Sequence, residues 1–456
     1  MILTILFGVI GFGIMVVIHE FGHFLAAKRL GIEVEAFSLG WGRRLVGFKY
    51  KGTDYRLSII PFGGYCKMKG ELPLAGPSGR PAPDESWNPE PGSFFAASPW
   101  KRIAVAVSGP LANVLFAVLV LTVIWWIGFR VYSDDNRIVL ATDYSLDAFP
   151  SPPPATLAGL ATGDRILAID GRPIRNFREL QETVASSPEA QLRLTVERQG
   201  ARRELLLRPV LDKSSGAGRI GVYSWTDLEV GKIQPGGAAA LAGLAPGDWI
   251  ISAGGVPVRH LIDLMQSLQR RPERIELGVR RGERVSTVPL VLRYTEQGQM
   301  DLGLSFRLDS YRSPRLGLPG AFEHGLAETW KNIRLTAKGI GLLFRGISLR
   351  NAVAGPLRII QVTGAAATSG FSLSFGQGLY YYFNILCLLS IVLFLMNLLP
   401  IPALDGGQVL LSVLEILRRR PVNPRLIARV QAISFSVLLV VAVAVTANDI
   451  LGFLGR

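Results

Sequence analysis

The sequence predicts a polytopic α-helical membrane protein: four transmembrane helices, a membrane-dipping β-loop, and two small α+β domains inserted between the second and third helices. Three observations predict it. Four apolar spans, about Ile2–Ala27, Ile103–Phe129, Leu379–Leu399 and Ile427–Val445, are each long enough to cross a hydrocarbon core of about 30 Å. The long segment between spans two and three contains one pattern twice. Span one carries ionisable groups where lipid makes them costly: His19-Glu20-Phe21-Gly22-His23 follows Ile14-Met15-Val16-Val17-Ile18.

Span one, residues 1–27, reads as a helix with no charge before Glu20. His19 and His23 are four residues apart and share a face, so both imidazoles can reach one Zn²⁺, with Glu20 beside them as general base on a metal-bound water. A signal peptide is the competing reading of an apolar N-terminus. Its apolar region would be shorter and its flank would carry a small-residue cleavage site, and neither fits here. Polar groups placed so expensively point to a zinc protease working inside the bilayer.

At 456 residues the chain has room for several domains, and its formal net charge is +14. In a soluble chain that balance would suggest nucleic acid. Here much of the basic charge flanks apolar spans, where anionic headgroups attract it, so no nucleic-acid partner is expected. Cys66 and Cys387 suggest no disulfide framework and read as unpaired packing residues. Lys28, Arg29, Arg43, Arg44, Lys49 and Lys51 follow span one, and Lys101 and Arg102 precede span two (101–129). Arg418, Arg419, Arg420 and Arg425 lie between span three (379–399) and span four (426–451). The positive-inside rule puts both loops in the cytoplasm, with the termini and the segment 130–378 outside.

Residues 33–70 read as a membrane-associated β-loop, with strands at Phe37–Gly42 and Tyr55–Tyr65 broken by glycines. Such backbone enters a membrane only where protein or a water-filled cavity satisfies it. Residues 73–99 are rich in Pro, Gly and Ser and read as a flexible loop. In the outer segment, Ala158-Gly159-Leu160-Ala161-Thr162-Gly163-Asp164 aligns with Ala242-Gly243-Leu244-Ala245-Pro246-Gly247-Asp248, and the likeness runs on to Ile174 and Val258. Each copy, 138–210 and 219–293, resembles a PDZ domain, a fold that binds peptides by adding a strand to a sheet edge. A rigid spacer is the alternative role. Residues 319–370 turn helical and amphipathic, placed either along the outer leaflet or against the PDZ-like domains.

Zinc needs a third protein ligand and an open position for water. His260 and His324 lie far from span one in sequence and read as surface or structural. Asp405 is the better candidate, in the loop 400–407 that follows Asn397-Leu398-Leu399. Pro400 and Pro402 break the helix, and Gly406 and Gly407 let the backbone bend back towards the membrane. The competing reading of Asp405 is a helix N-cap.

With these residues in view, the chain resembles the site-2 protease family of intramembrane zinc metalloproteases, and within it the bacterial RseP type with two PDZ domains. His19-Glu20-Phe21-Gly22-His23 matches the family's metal motif, and Pro61-Phe62-Gly63-Gly64-Tyr65-Cys66-Lys67-Met68 matches the segment after its membrane-dipping β-loop. Ser108-Gly109-Pro110-Leu111-Ala112-Asn113 matches its Gly-Pro-x-x-Asn signature, and Asn397, Pro400, Pro402 and Leu404-Asp405-Gly406 match its third motif. The resemblance implies Zn²⁺ on His19, His23 and Asp405, catalysis by Glu20, and substrate handling by Asn397 and the β-loop. It implies regulated intramembrane proteolysis in the bacterial inner membrane, with the active site towards the cytoplasmic side. Substrates would be single-pass membrane proteins of the anti-sigma factor type and remnant signal peptides, and the PDZ-like domains would exclude bulky ectodomains. Two other classes are weighed against this. A zinc transporter would spread its ligands along a path, whereas here they cluster with a general base. A catalytically inactive PDZ scaffold has no need of an intact His-Glu-His-Asp set.

Overall fold

The structure, a computed structural model, describes residues 2–70, 90–144, 152–213, 216–269, 272–294, 300–343, 355–422 and 424–454. Most of the loop expected over 73–99 lies outside these residues. The chain divides into two compact units, Met1–Phe129 with Ser313–Gly455, and Arg130–Arg312.

The first unit is helical. Its helices are α1 (Ile2–Arg29), α2 (Pro99–Ile127), α3 (Leu318–Leu343), α4 (Pro356–Leu373), α5 (Phe375–Asn397), α6 (Asp405–Arg418) and α7 (Pro424–Leu454). Four of them are long and apolar enough to cross a membrane: α1, α2, α5 and the stretch Arg429–Leu451 of α7. The buried residues of α1 are Gly8, Gly11, Met15, His19, Gly22, His23 and Ala27, a stripe at helical spacing. The histidines thus face neighbouring helices, where an ionisable group in a membrane segment belongs. Helix α2 packs on α1, α3, α5 and α6. Its outward ridge of Leu111, Leu115, Leu119 and Val123 is exposed at i, i+4 spacing, as a lipid-facing stripe would be.

Helix α3 buries Ala321, Gly325 and Thr329. Gly325 lies against Thr122, so small residues let α3 run close along α2. Trp125 Nε1 donates to Glu328 at 2.6 Å across that contact. Leu318, Phe322, Leu326 and Trp330 stay exposed on its other side.

Between α1 and α2 stand two strands, β1 (Val34–Tyr50) and β2 (Thr53–Met68), longer than the glycine breaks suggested. Lys51 (φ 46°) and Gly52 (φ 79°) form the two-residue turn between them, with Tyr50 opposite Thr53. Two left-handed residues match the twist of a hairpin. Beyond the turn both strands fold on themselves at glycines, so Ala36–Leu39 has partners on both sides, Asp54–Leu57 and Gly64–Lys67. Tyr55–Leu57 also pair with Val46–Phe48. Tyr55–Leu57 therefore lie inside the sheet, with a strand on each side. The outer strands are Arg44–Tyr50 and Gly64–Met68.

The second unit repeats one plan. Strands Arg172–Pro173, Arg165–Ile169, Leu192–Arg198 and Ala201–Leu207 form one four-stranded sheet in that order. Val256–Pro257, Trp249–Ala253, Arg274–Arg281 and Arg284–Val291 form the second in the same order. The repeated Gly-Asp has one function in both. Asp164 Oδ2 accepts from Ala161 N–H at 2.8 Å, and Arg198 grips the carboxylate at 2.7 and 2.8 Å. Asp248 Oδ2 accepts from Ala245 N–H at 2.8 Å, and Arg281 grips it at 2.7 Å through each nitrogen. Each aspartate is buried, and its arginine pins the turn to a strand of its own sheet.

His260 is structural. It is fully buried, and its Nδ1 accepts from Asp263 N–H at the start of helix Leu261–Leu268. Asn176 does the same for helix Phe177–Ala185 in the first copy. His324 is exposed, its ring tilted against Trp125 with centroids 4.7 Å apart. Cys66 and Cys387 are both buried, and neither forms a disulfide.

Candidate metal centre

Two helices bring the donors together. His19 and His23 come from the buried stripe of α1, and Asp405 is the first residue of α6. Helix α5 ends at Asn397, ahead of Pro400, because a residue before proline avoids the helical region and proline lacks the N–H to continue the ladder. After the turn Leu398–Leu404 the chain starts α6 with Leu404 in the N-cap position. Asp405 is therefore inside the helix, and its carboxylate reaches the histidines. Gly406 and Gly407 allow the tight reversal: a Cβ on either would overlap backbone oxygens of Leu399 or Ile401.

His19 Nε2 and His23 Nε2 are 3.2 Å apart. Asp405 Oδ2 lies 3.1 Å from the first and 3.4 Å from the second. A tetrahedron with metal–ligand bonds of about 2.0–2.1 Å has edges of about 3.3–3.4 Å, so these spacings are those of three corners of a zinc site. The protonation pattern fits a cation as well. His23 Nδ1 donates to Val105 C=O at 2.8 Å, which leaves Nε2 bare. Asp405 Oδ2 is buried without a hydrogen bond of good geometry. Lone pairs crowded this way repel one another unless a positive charge sits among them. These three are the sole cluster of this kind among the described residues.

Glu20 points beside the cluster, and its Oε2 accepts from Cys66 N–H at 3.0 Å. The outer strand of the β-sheet thus fixes the carboxylate from the backbone. Asn397 stands at the edge of the group, its Nδ2 3.5 Å from His19 Nε2. His19, Glu20, His23, Asp405 and Asn397 are therefore at one place. Two further residues could not be found from composition. Gly109 faces His23, and a Cβ there would overlap Nε2. Asn113 is fully buried with its side chain 3.2 Å from His19 Nδ1. The Gly-Pro-x-x-Asn spacing carries both, one turn apart on the face of α2 that meets α1.

A helical membrane protein whose polar cluster joins a His-Glu-x-x-His helix to an aspartate belongs to the class of membrane metallopeptidases by its chemistry. Residues 7–441 match the model of Peptidase family M50. The chain is 38% identical over 452 residues to a Treponema pallidum (strain Nichols) protein named "Putative zinc metalloprotease", covering 98% of this chain and 99% of that one. It is 30% identical over 447 residues to "Protease RseP" of Yersinia pestis, covering 91% of each. The chain belongs to peptidase family M50 and is an intramembrane zinc metalloprotease.

Proposed function

We propose that His19, His23 and Asp405 hold the zinc ion, that Glu20 is the general base, and that Asn397 handles the substrate. The observation that carries this reading is the convergence of two imidazole Nε2 atoms and a buried carboxylate oxygen beside Glu20. Zinc held there would acidify a water and polarise the scissile carbonyl. Glu20, oriented by Cys66 N–H, takes a proton from the attacking water and delivers it to the leaving amine. Asn397 is close enough to donate its amide to the substrate backbone or its developing oxyanion. A helical substrate must unwind first, and the β-sheet beside Glu20 offers its freed backbone groups partners.

The substrates on this reading are single-pass membrane proteins of the anti-sigma factor type and remnant signal peptides, cut within the bilayer. The basic residues around α1, α2 and α6 support an orientation with the site towards the cytoplasmic face of a bacterial inner membrane. The two repeated lobes are read as PDZ-like filters or peptide binders, supported by their shared sheet order. Mapping the cut in a purified transmembrane substrate tests the reading. A cut in the cytoplasmic half of the span supports it, and a cut in the outer half overturns the orientation.

A further inference from the structure

Asn113 is fully buried on α2, and none of the chemistry above uses it. Its amide nitrogen is set 3.2 Å from His19 Nδ1, and its Oδ1 is buried with no hydrogen-bond partner. In that orientation the amide donates to Nδ1. A neutral imidazole then carries its proton on Nε2, the atom that faces His23 and Asp405, and has no lone pair there for a metal. A half-turn of the amide exchanges nitrogen and oxygen without moving any other heavy atom. Oδ1 then accepts from Nδ1–H, and Nε2 is left bare. The other amide atom is unpartnered as it stands, so no existing bond opposes the half-turn. His23 already has this arrangement with a backbone partner, because Val105 C=O can only accept.

We propose that Asn113 is a positioning residue for the metal: its Oδ1 accepts the Nδ1–H of His19 and holds Nε2 unprotonated and turned towards His23 and Asp405. The inference rests on the reading of His19 as a zinc ligand. A ligating histidine commonly donates its second N–H to an acceptor that fixes its tautomer and ring plane. Two neutral histidines need two such acceptors. Helix α2 supplies both, the Val105 carbonyl and the Asn113 amide, two turns apart on the face that meets α1.

The test is zinc affinity of the detergent-solubilised full chain, measured by competition with a chromophoric chelator. Asn113→Asp keeps an acceptor and removes the donor, and Asn113→Leu keeps the volume and removes both. Affinity should fall by about 10–100-fold in Asn113→Leu and stay within about threefold of wild type in Asn113→Asp. Wild-type affinity in Asn113→Leu would overturn the proposal. So would an equal loss in both variants at wild-type melting temperature, because the amide donor would then be what matters. If Asn113→Leu does not fold, Asn113→Asp decides alone: retained affinity supports the proposal and a tenfold or greater loss overturns it. A wild-type chain that binds no zinc would remove the metal reading itself, a different failure that the same titration identifies.

Discussion

Gly109 lies against the His23 imidazole so closely that a Cβ on residue 109 would overlap Nε2, the nitrogen that faces Asp405. Gly22, between the two histidines on α1, meets Ser108 C=O and Ala112 on α2 in the same way. The two helices are thus seated by glycine on each side at the depth of the metal centre. Small residues at such contacts let helix backbones approach in a membrane.

From this follows a prediction for Gly109→Ala. The added methyl group should push the His23 ring away from Asp405 and weaken zinc binding by at least about tenfold, as loss of ligand geometry does in other zinc sites. Zinc stoichiometry after dialysis reads the effect. Full occupancy with unchanged affinity would show that the ring has room the structure denies it.

A second prediction concerns the anchoring of α6. Arg102 on α2 and Glu415 on α6 form a buried ion pair, and Glu415 Oε1 also accepts from Val422 N–H at 3.2 Å. Glu415→Ala leaves a guanidinium buried alone, which should cost about 3–5 kcal/mol, whereas replacing both partners by Met and Leu should recover most of that. Thermal unfolding of the three proteins measures it. A double variant as unstable as Glu415→Ala would contradict the account.

The third prediction is a pH dependence in the Arg130–Arg312 unit. Burial pushes His260 below its ordinary value of 6.5; Asp263 opposes the shift, while Arg259 and Arg137 add to it. The unfolded chain therefore binds the proton more readily than the folded one. Stability contributed by neutral His260 is present above about pH 6.5 and is lost as pH falls below it. Tyr144 joins the same network, its hydroxyl donating to Asp263 Oδ1 at 2.6 Å. Hydrogen exchange of Leu261–Leu268, corrected for the intrinsic rate, should speed up from pH 7 to pH 5 in wild type. His260→Asn, which copies the Asn176 cap of the first repeat, should flatten that change. An identical pH response in the variant would contradict it.

The fourth concerns the repeated lobes. If they filter substrates, deleting 138–293 should leave cleavage of short substrates intact and admit substrates with uncut ectodomains. Loss of cleavage of short substrates would assign the lobes to folding or recruitment.

The sequence made one half of the metal centre readable and hid the other. His19, Glu20 and His23 announce themselves because lipid makes them costly, and Asp405 because prolines and glycines mark a reversal. Both signals are local. Asn113, Gly109 and the Cys66 N–H act across contacts between segments far apart in the chain, and nothing in an apolar run shows which way a helix is rotated about its axis. The β-loop was legible as strands, but the doubled pairing of Ala36–Leu39 depends on how the hairpin folds back, which alternation alone does not specify. Cys66 looked like packing from its side chain, and its use lies in its backbone.

The central claim is that Glu20 is the base beside a zinc ion held by His19, His23 and Asp405. The most direct measurement pairs zinc stoichiometry with cleavage of a transmembrane substrate for Glu20→Gln, His23→Ala and Asp405→Ala. Glu20→Gln should keep its zinc and lose activity by about 10²–10⁴-fold, as removal of a general base does, while the two ligand variants should lose both. A Glu20→Gln enzyme that cleaves near the wild-type rate, or an Asp405→Ala chain that keeps wild-type zinc affinity, would contradict it.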